Sequence, residues 1–508
     1  MDITFLSELK SDNKLTPAEI VEMILKKRGI KDEEFMTPVH PLKINIEEMG
    51  FKKEVKKTLL LLEKIKKEGR TIVVYTDYDA DGITGGSIVW ETLHLLGFHV
   101  MPYVPHRKLE GYGFSEKGIN AVKKQFDPAL IISVDHGISA REKIVYATSL
   151  HIPIIITDHH LKPEKIPDAE VIFHIPELSG SGVGYFFAKM IYEFFQKDTT
   201  SEKKELLKHN FSNDYLALAS IGTVADLVPL LGPSRSIVKY GLEAFPHARR
   251  HGLKCIIEEA GIKDKKITPY EIGFIIAPRI NAVGRLEHAI DALRLLCTTN
   301  GTKAKELASK VGATNRERQD MVKTSVAEAR QMVEKMKKKD NLPKLIILRH
   351  DEWHEGIIGL IASKILEEHY RPVIVMTKSD GFLKGSARSI VSFHMTDFLR
   401  SLKKYLIDAG GHAQAAGFTI YKEQVEEFTE KAVKKAERMI SQKDLIKTLQ
   451  ADMKMPMFKA TLTLAEKIEE LQPFGMGNPQ PIFYSEAEVV GTKLFGKKSE
   501  YLKIFVKD

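Results

Sequence analysis

Three short runs of β-branched and other apolar residues, each ending in acidic or histidine side chains, constrain this chain more than any other feature. They read TIVVYTDYDAD at residues 71–81, ALIISVDHG at 129–137 and IPIIITDHH at 152–160. Apolar runs of this length, bounded by polar or turn residues, are typical of strands buried in a parallel sheet. Such strands end at one edge of the sheet, where ligands bind. The runs therefore predict that their terminal side chains lie close together: Asp77, Asp79, Asp81, Asp135, Asp158, His159 and His160.

So many carboxylates in a small volume would repel one another unless cations lay between them. Oxygen and imidazole ligands without thiolates suit manganese, magnesium or zinc. We expect Asp79 and Asp81 to project from the same side of an extended strand end, because side chains in a strand repeat with a period of two. These residues together predict a two-metal phosphoesterase centre.

A further acid, Asp226, lies in the otherwise apolar and small-residue stretch SIGTVADLVP at 220–229. A buried carboxylate of this kind needs a compensating partner. The partner would be a metal ion, a helix N-terminus or an arginine such as Arg235. The sequence thus offers Asp226 as another metal ligand while leaving the structural alternatives open.

The bulk properties exclude several classes of protein. The chain has 508 residues, which is enough for two to four domains, and its net charge of +8 permits binding to a polyanion. Cys255 and Cys297 form neither a disulfide framework nor a zinc motif. No signal segment is evident, and no apolar run approaches the ~18 residues of a membrane span. We therefore expect a cytoplasmic protein without a membrane segment. A monomer is a separate expectation.

Local patterns divide the chain into five segments. Residues 1–50 read as a helical arm, in which Thr16, Pro17 and Glu19 form a helix start. In residues 51–232 strand and helix patterns alternate, as in an α/β domain with a parallel sheet. The turn at 180–184 is interpreted as the start of a helix. Residues 233–340 form a helical connector with a long helix over 303–339, broken at most near Gly312. Residues 341–440 form a smaller α/β unit, and residues 441–508 are strand-rich.

Four of the motifs resemble those of the DHH phosphoesterase superfamily: DYDADG at 77–82, VDHG at 134–137, DHH at 158–160 and GTVAD at 222–226. Longer strings are similar to the bacterial RecJ exonuclease family. These are PHRKLEGYG (105–113), SGSGVGYFFAKM (179–190), PRINAVGRL (278–286), WHEGIIGLIASKI (353–365), GSARSI (385–390), GGHAQAAGF (410–418) and LQPFGMGNPQPIF (471–483).

This resemblance implies a nuclease that requires manganese or magnesium, uses two ions, degrades single-stranded DNA from the 5′ end and serves DNA repair and recombination. It also implies a DHH catalytic domain at 51–232, a DHHA1 substrate-binding domain at 341–440 and a partial OB-fold at 441–508. Single-stranded DNA would be the substrate. A single-stranded-DNA-binding protein or a helicase would be a partner.

The resemblance also implies a ligand set. Asp135 would bridge two ions. Asp81, His159 and Asp226 would complete one site, and Asp79 with Asp77 the other. Tyr75 stands where related phosphoesterases carry a histidine ligand, and Asp77 is the substitute. His160 would contact the scissile phosphate or orient its neighbours.

The substrate-binding residues implied by the family are Arg107, Arg279, Ser386 and Arg388, which would hold the 5′ phosphate and the adjacent backbone. Arginine binds phosphate through two parallel hydrogen bonds. The glycine-rich string that contains Gly411 and His412 would let backbone N–H groups approach a phosphate.

Two other functions are compatible with these motifs. One is a phosphodiesterase of the same superfamily that acts on short oligonucleotides or on RNA. The other is a non-catalytic replication scaffold, which is less favoured because every motif acid is present.

Overall fold

A computed structural model describes residues 2–10, 14–339, 342–379, 381–496 and 499–507. The chain forms two compact units. The larger unit comprises Phe5–Asn315 and Ala451–Asp508, and the smaller unit comprises Met1–Thr4 and Arg316–Gln450.

The strands, in chain order, are β1 (Asp2–Glu8), β2 (Ile72–Thr76), β3 (Val100–Tyr103), β4 (Leu130–Val134), β5 (Ile154–Asp158), β6 (Val171–His174), β7 (Ile346–Arg349), β8 (Val373–Ser379), β9 (Phe382–Arg388), β10 (Leu406–Gly411), β11 (Ala415–Tyr421), β12 (Thr448–Lys454), β13 (Phe483–Tyr484), β14 (Glu488–Phe495) and β15 (Tyr501–Lys507).

The α-helices are α1 (Pro17–Lys27), α2 (Asp32–Met36), α3 (Lys52–Glu68), α4 (Ala80–Leu95), α5 (Arg107–Glu110), α6 (Glu116–Phe126), α7 (Arg141–Ser149), α8 (Gly180–Phe195), α9 (Ser201–Ser212), α10 (Asp214–Ala225), α11 (Gly232–Ala244), α12 (His251–Glu259), α13 (Pro269–Glu271), α14 (Ala277–Leu286), α15 (Ile290–Cys297), α16 (Gly301–Lys339), α17 (Ile358–His369), α18 (Met395–Arg400), α19 (Val425–Met439) and α20 (Leu462–Glu469). Glu47–Phe51 and Ile272–Ile276 are π-helical turns. Short 3₁₀ helices cover Pro41–Lys43, Gln196–Asp198, Phe245–His247, Lys403–Tyr405, Lys422–Gln424, Lys443–Leu445 and Met457–Lys459.

The larger unit is built on a parallel sheet of strand order β3-β2-β4-β5-β6. The predicted α/β fold with a parallel sheet is confirmed. Every residue of β2, β4 and β5 is buried, which explains why these strands read as continuous apolar runs. Thr76 pairs with Val134, and Val134 pairs with Thr157. The three strands therefore end side by side and deliver their following residues to one edge.

Helices α4, α8 and α10 pack against one another on this sheet. Their small residues allow close approach. A Cβ atom at Gly85 of α4 would lie 2.9 Å from the Ser181 Cα atom of α8. This packing places the N-termini of α4 and α8 and the C-terminus of α10 at the edge where β2, β4 and β5 end.

The long helix predicted over 303–339 is confirmed as α16, which runs without a break through Gly312. Gly312 faces the carboxylate of Glu259, where a Cβ atom would collide with that side chain. The glycine thus serves close packing inside the larger unit and does not interrupt the helix.

The first residues differ from the predicted helical arm. Residues 2–8 form β1, which lies next to β12 in a sheet of order β1-β12-β13. This segment is exposed or half-buried along its whole length and carries little strand signal of its own, because its pairing with the distant β12 stabilises it. The predicted helix start is confirmed, because Thr16 and Glu19 form a capping box on α1.

The smaller unit contains a mixed sheet of order β10-β11-β9-β8-β7, in which only β7 and β8 pair in parallel among the described strands. Helix α17 packs on β8 and β9. In the larger unit, β14 and β15 form an antiparallel hairpin. Within the described residues, no helix combines the length and the hydrophobicity needed to cross a membrane.

Candidate metal centre and phosphate site

The first acidic motif surrounds the start of α4. Strand β2 ends at Thr76, and Asp79 is the N-cap of α4, accepting hydrogen bonds of 3.0 Å from the backbone N–H groups of Asp81 and Gly82. The expectation that Asp79 and Asp81 extend the strand is therefore wrong, since a carboxylate that caps a helix starts that helix within the motif. A Cβ atom at Gly82 would lie 2.7 Å from the Asp77 carbonyl oxygen, so this turn requires glycine.

Asp81 is held by the N-terminus of α8. Its two carboxylate oxygens accept hydrogen bonds from Gly180 N (2.6 Å) and Ser181 N (2.9 Å). The predicted helix-opening turn is confirmed, because Ser179 caps α8 through Gly182 N. Each carboxylate oxygen has a second lone pair that stays available to a cation.

Asp135 follows β4 in the left-handed region, with φ of 69°. This conformation is unusual for a residue other than glycine, and such strain concentrates at functional sites. The Asp135 backbone N–H donates to the Thr157 carbonyl at 2.9 Å, which ties this turn to β5.

Asp158 organises the third motif from within. Its carboxylate accepts hydrogen bonds from the backbone N–H groups of Ile138 (2.8 Å), His159 (2.7 Å) and His160 (3.1 Å). It also contacts His160 Nδ1 at 2.8 Å. Burial raises the pKa of this carboxyl, but these hydrogen bonds outweigh burial and hold the pKa below its ordinary value. Asp158 is thus a positioning residue for the two histidines.

The imidazole of His159 reaches carboxylates from the other motifs. Its Nε2 atom lies 3.2 Å from Asp135 Oδ1, 3.4 Å from Asp226 Oδ2 and 4.0 Å from Asp81 Oδ2. Asp226 is the C-cap residue of α10. Four segments that are distant in sequence therefore meet at one point.

Arg235 does not partner Asp226. Its buried guanidinium donates to the carbonyl oxygens of Phe35 (2.7 Å), Leu471 (3.0 Å), Gln472 (3.0 Å) and Pro473 (3.2 Å). The arginine alternative raised by the sequence is therefore wrong, and Arg235 instead joins two remote segments of the larger unit.

Candidate ligand atoms fall into three groups whose members lie within 4.8 Å of one another. The groups are Asp81 with His159 and Asp226, Asp77 with Asp79 and Asp135, and Asp135 with His159 and His160. Asp135 lies in two of them, as a residue between two cations would.

The chemistry of these groups fits divalent cations. Asp77 Oδ1, Asp135 Oδ1 and His159 Nε2 are buried and form no hydrogen bond with any described residue. Burial and neighbouring carboxylates raise the pKa values of Asp77 and Asp135 above the ordinary range. Burial, followed by Asp81 and Asp79, raises the pKa of Asp226 to about 8. Cations would supply the missing partners and keep these acids ionised near neutral pH.

His160 is held between Asp158 and a residue that the sequence reasoning missed. Its Nε2 atom lies 3.1 Å from the Tyr112 hydroxyl. Burial lowers the pKa of His160, but Asp158 outweighs it and raises the pKa to about 9. Tyr112 stands between Gly111 and Gly113, which both have positive φ. In the sequence, the aromatic residue between two glycines in the string GYG was the signal that could have identified Tyr112 as a site residue.

Tyr75, which stands where related phosphoesterases carry a histidine ligand, is part of the buried core. Its buried ring packs against Tyr103 and Phe114, with ring centroids 4.8 and 4.9 Å away. Asp77, two residues later, lies with Asp79 and Asp135.

In the smaller unit, Arg388 and Ser386 lie beside the start of α17. Arg388 is largely buried and donates to Ser386 Oγ (3.3 Å) and the Ala387 carbonyl (2.9 Å), and no described carboxylate forms an ion pair with it. A Cβ atom at Gly359 would lie 2.9 Å from Arg388 Nη2 and 3.0 Å from Ser386 Oγ. Helix α17 begins without a side-chain cap. A guanidinium, a hydroxyl and a helix N-terminus thus converge as in an anion site.

The other substrate-binding candidates have separate surroundings. Gly411, with φ of 136°, and exposed His412 lie at the turn between β10 and β11. In the larger unit, the exposed Arg107 guanidinium lies over the Tyr78 ring at 5.2 Å. Arg279 forms an ion pair of 2.8 Å with Glu259 and donates to the Ile275 carbonyl.

Comparison with known families divides the chain into three matched regions. Residues 71–223 match the DHH family, N-terminal domain. Residues 342–439 match the DHHA1 domain, and residues 451–508 match the RecJ OB domain.

Similar proteins extend these matches over most of the chain. The single-stranded-DNA-specific exonuclease RecJ of Bacillus subtilis (strain 168) is 34% identical over 449 residues, which cover 86% of this chain and 55% of that protein. RecJ of Salmonella typhimurium is 32% identical over 457 residues, which cover 87% of this chain and 78% of that protein. The chain therefore spans about half of the first relative and over three quarters of the second.

Solved structures agree with these relatives. The structure of RecJ in complex with Mn²⁺ from Thermus thermophilus has a TM-score of 0.82 and 27% identity, and the match covers 99% of this chain and 72% of that one. A structure of RecJ in complex with Mg²⁺ from the same organism has a TM-score of 0.72 and 26% identity, and the match covers 99% of this chain and 71% of that one.

Proposed function

The chain belongs to the RecJ family of single-stranded-DNA-specific exonucleases, and we propose that it hydrolyses phosphodiester bonds of single-stranded DNA from the 5′ end in a reaction that requires Mn²⁺ or Mg²⁺. The observation that carries this proposal is the meeting of Asp81, Asp135, His159 and Asp226, whose buried ligand atoms include unpartnered ones. A role in DNA repair and recombination is proposed on the same family grounds.

The proposed ligand sets follow the groups of candidate ligand atoms. Asp81, His159 and Asp226 would hold one cation, and Asp77 and Asp79 the other, with Asp135 between them. When bound, divalent cations would activate water as the nucleophile and screen the negative charge of the phosphodiester.

The chain's own residues position the substrate around the cations. Asp158 fixes the imidazole of His160, and Tyr112 contacts its other nitrogen. Asp158 raises the pKa of His160 above its ordinary value and so favours the charged imidazole, which is suited to donate a hydrogen bond to a phosphate oxygen. We assign His160 to contact the scissile phosphate and Asp158 to hold it there.

The proposed 5′ polarity rests on an anchored terminal phosphate. Arg388, Ser386 and the start of α17 offer a cation, a hydroxyl and backbone N–H groups to one anion. Arg107, Arg279, Gly411 and His412 are proposed to contact the neighbouring backbone. Because Arg279 is already paired with Glu259, its role would require the substrate to share or replace that pairing.

The experiment is hydrolysis of a single strand labelled separately at each end in the presence of Mn²⁺. We expect the 5′ label to leave first and EDTA to abolish the reaction. Asp81→Asn should abolish hydrolysis but leave strand affinity, measured in EDTA, within a few-fold of the parental value. Digestion by this variant at the parental rate would contradict the ligand assignment, and earlier release of the 3′ label would contradict the polarity.

We further propose a cytoplasmic monomer that works with a single-stranded-DNA-binding protein or a helicase. Cys255 and Cys297 are both free thiols, as is usual in a reducing compartment. Short oligonucleotides and RNA are the alternative substrates. Their effectiveness as competitors of long single-stranded DNA in the same assay distinguishes them.

A further inference from the structure

An apolar pocket of about 670 Å³ begins beside the candidate metal ligand Asp226. Its lining includes Val224, Ala225 and Leu227, which flank Asp226 in the chain. Leu227 has φ of 59° and an exposed side chain. The turn that presents Asp226 to the metal centre therefore also forms one wall of the pocket.

The pocket lining also includes two exposed aromatic rings. Tyr270 and Phe274 are 61% and 70% exposed, and their rings stack with centroids 5.0 Å apart and an angle of 28°. Positions four apart lie on one face of a helix. Unlike isolated exposed apolar residues, this ring pair lines an apolar pocket, which makes it a candidate binding surface.

The helix that carries these rings is fixed to the metal centre. Thr268 and Glu271 form a capping box at its start, and Ile272 and Ile276 are fully buried. Further along, in α14, Asn281 Oδ1 accepts a 2.7 Å hydrogen bond from the backbone N–H of Ala80, inside the first acidic motif. These contacts anchor the helical segment that carries the rings and join the following helix to the first acidic motif.

The chemistry of the pocket selects its ligand. Among the described residues that line it, none carries a charge, and its polar side chains include Asn281, Gln480 and the Tyr270 hydroxyl. A phosphate would find no cation here, whereas a flat uncharged ring would find an aromatic surface. Nucleobases have this character, and they stack on aromatic side chains without regard to sequence.

We propose that Tyr270 and Phe274 form a stacking platform for the nucleobases of the single strand whose phosphodiester lies at the metal centre. This proposal rests on the proposed function, because it identifies the polymer by that reaction. The platform holds bases while the acids and the cations act on the backbone.

The test is binding of an oligothymidylate strand that contains 2-aminopurine, measured in EDTA so that no strand is cut. Stacking quenches 2-aminopurine fluorescence, and the parental protein should quench it. Tyr270→Ala/Phe274→Ala should abolish the quenching and weaken binding about 10- to 100-fold. A strand with abasic sites in place of the stacking bases should bind the parental protein and the Tyr270→Ala/Phe274→Ala variant with equal affinity. Unchanged affinity or persisting quenching in the variant would refute the stacking proposal. An apolar peptide would then be the better candidate ligand of the pocket.

Two further variants control this test. Tyr270→Leu/Phe274→Leu keeps apolar area without aromatic faces and should lose affinity as the alanine variant does. Parental affinity in this variant would overturn stacking. Phe382 and Tyr421 form another exposed ring pair, 5.5 Å apart in the smaller unit, and Phe382→Ala/Tyr421→Ala should leave binding unchanged. An equal loss in that control would also overturn the proposal. This test measures binding and not cleavage. An inactive enzyme would therefore refute the proposed function, but the binding measurement could still be interpreted.

Discussion

Removing the carboxylate of Asp158 should destabilise the larger unit strongly. The side chain is 1% exposed and accepts hydrogen bonds from the backbone N–H groups of Ile138, His159 and His160. Asp158→Ala leaves these donors without an acceptor. At about 1–2 kcal/mol for each buried orphan donor, the free energy of unfolding should fall by about 3–6 kcal/mol. Asp158→Asn keeps one side-chain oxygen but turns its N–H₂ group toward one of the donors. The free energy of unfolding should therefore fall by about half as much as in Asp158→Ala.

Urea unfolding followed by tryptophan fluorescence can isolate this effect. The chain has two tryptophans, Trp90 in the larger unit and Trp353 in the smaller. In a Trp353→Phe background, Trp90 alone reports unfolding, which avoids mixing the transitions of two units. Asp264→Ala is the matched control, since Asp264 is an exposed acid of the same unit and should change stability by no more than about 0.5 kcal/mol.

The stability reasoning would be refuted if Asp158→Ala unfolded at the same urea concentration as the Asp264→Ala control. A second consequence is independent of stability. Since Asp158 orients His159 and His160, hydrolysis by the Asp158→Asn protein should fall well below the parental rate while its far-UV circular dichroism stays unchanged at 25 °C.

Four other outcomes are expected. Mn²⁺ at 100 times its dissociation constant should raise the free energy of unfolding by about 2.7 kcal/mol per site, and calorimetry of Asp135→Asn should show most of this gain lost. Without metal, Asp135→Asn should be more stable than the parent, because burial and the neighbouring carboxylates disfavour the ionised Asp135 carboxylate in the folded state. Gly222→Ala, whose Cβ atom would lie 2.7 Å from Ser181 Cβ and closer still to Asp81, should lose hydrolysis without losing helical content. Arg235→Met should lower stability by about 3–5 kcal/mol in urea titrations, since four carbonyl oxygens lose a charged donor. Arg388→Ala should reduce the preference for a 5′-phosphorylated end about tenfold or more in competition assays. Arg349→Ala is the control and should not reduce it, since Arg349 is a half-buried arginine of the same unit that is paired with Asp351.

Sequence reasoning placed the strands of the larger unit well because β2, β4 and β5 are buried on both faces. Burial on both faces requires an unbroken apolar run, and such a run is visible without any neighbour. It failed at residues 2–8, where the strand depends on pairing with β12, more than four hundred residues later. Edge pairing of this kind leaves little trace in the local sequence.

For the motif acids too, part of the arrangement can be read from the local sequence and part depends on distant segments. Their convergence could be predicted, but the manner in which each one is held could not. Asp79 caps a helix, Asp81 accepts from the start of α8, and Asp158 accepts from its own loop. These partners are backbone N–H groups, which every residue other than proline carries, so no residue type in the sequence marks them.

By itself the sequence determined the parallel sheet, the order of its acidic strand ends and the type of ligand they offer, because hydrophobic runs and side-chain chemistry are properties of each residue. Only the tertiary structure decided which atoms meet. It placed the Tyr112 hydroxyl next to His160 and paired Arg235 with backbone carbonyl oxygens rather than with Asp226. It also placed Tyr270 and Phe274 in one pocket with the residues that flank Asp226. Contacts between segments far apart in the chain depend on packing geometry at the scale of single ångströms, and local patterns carry no record of that geometry.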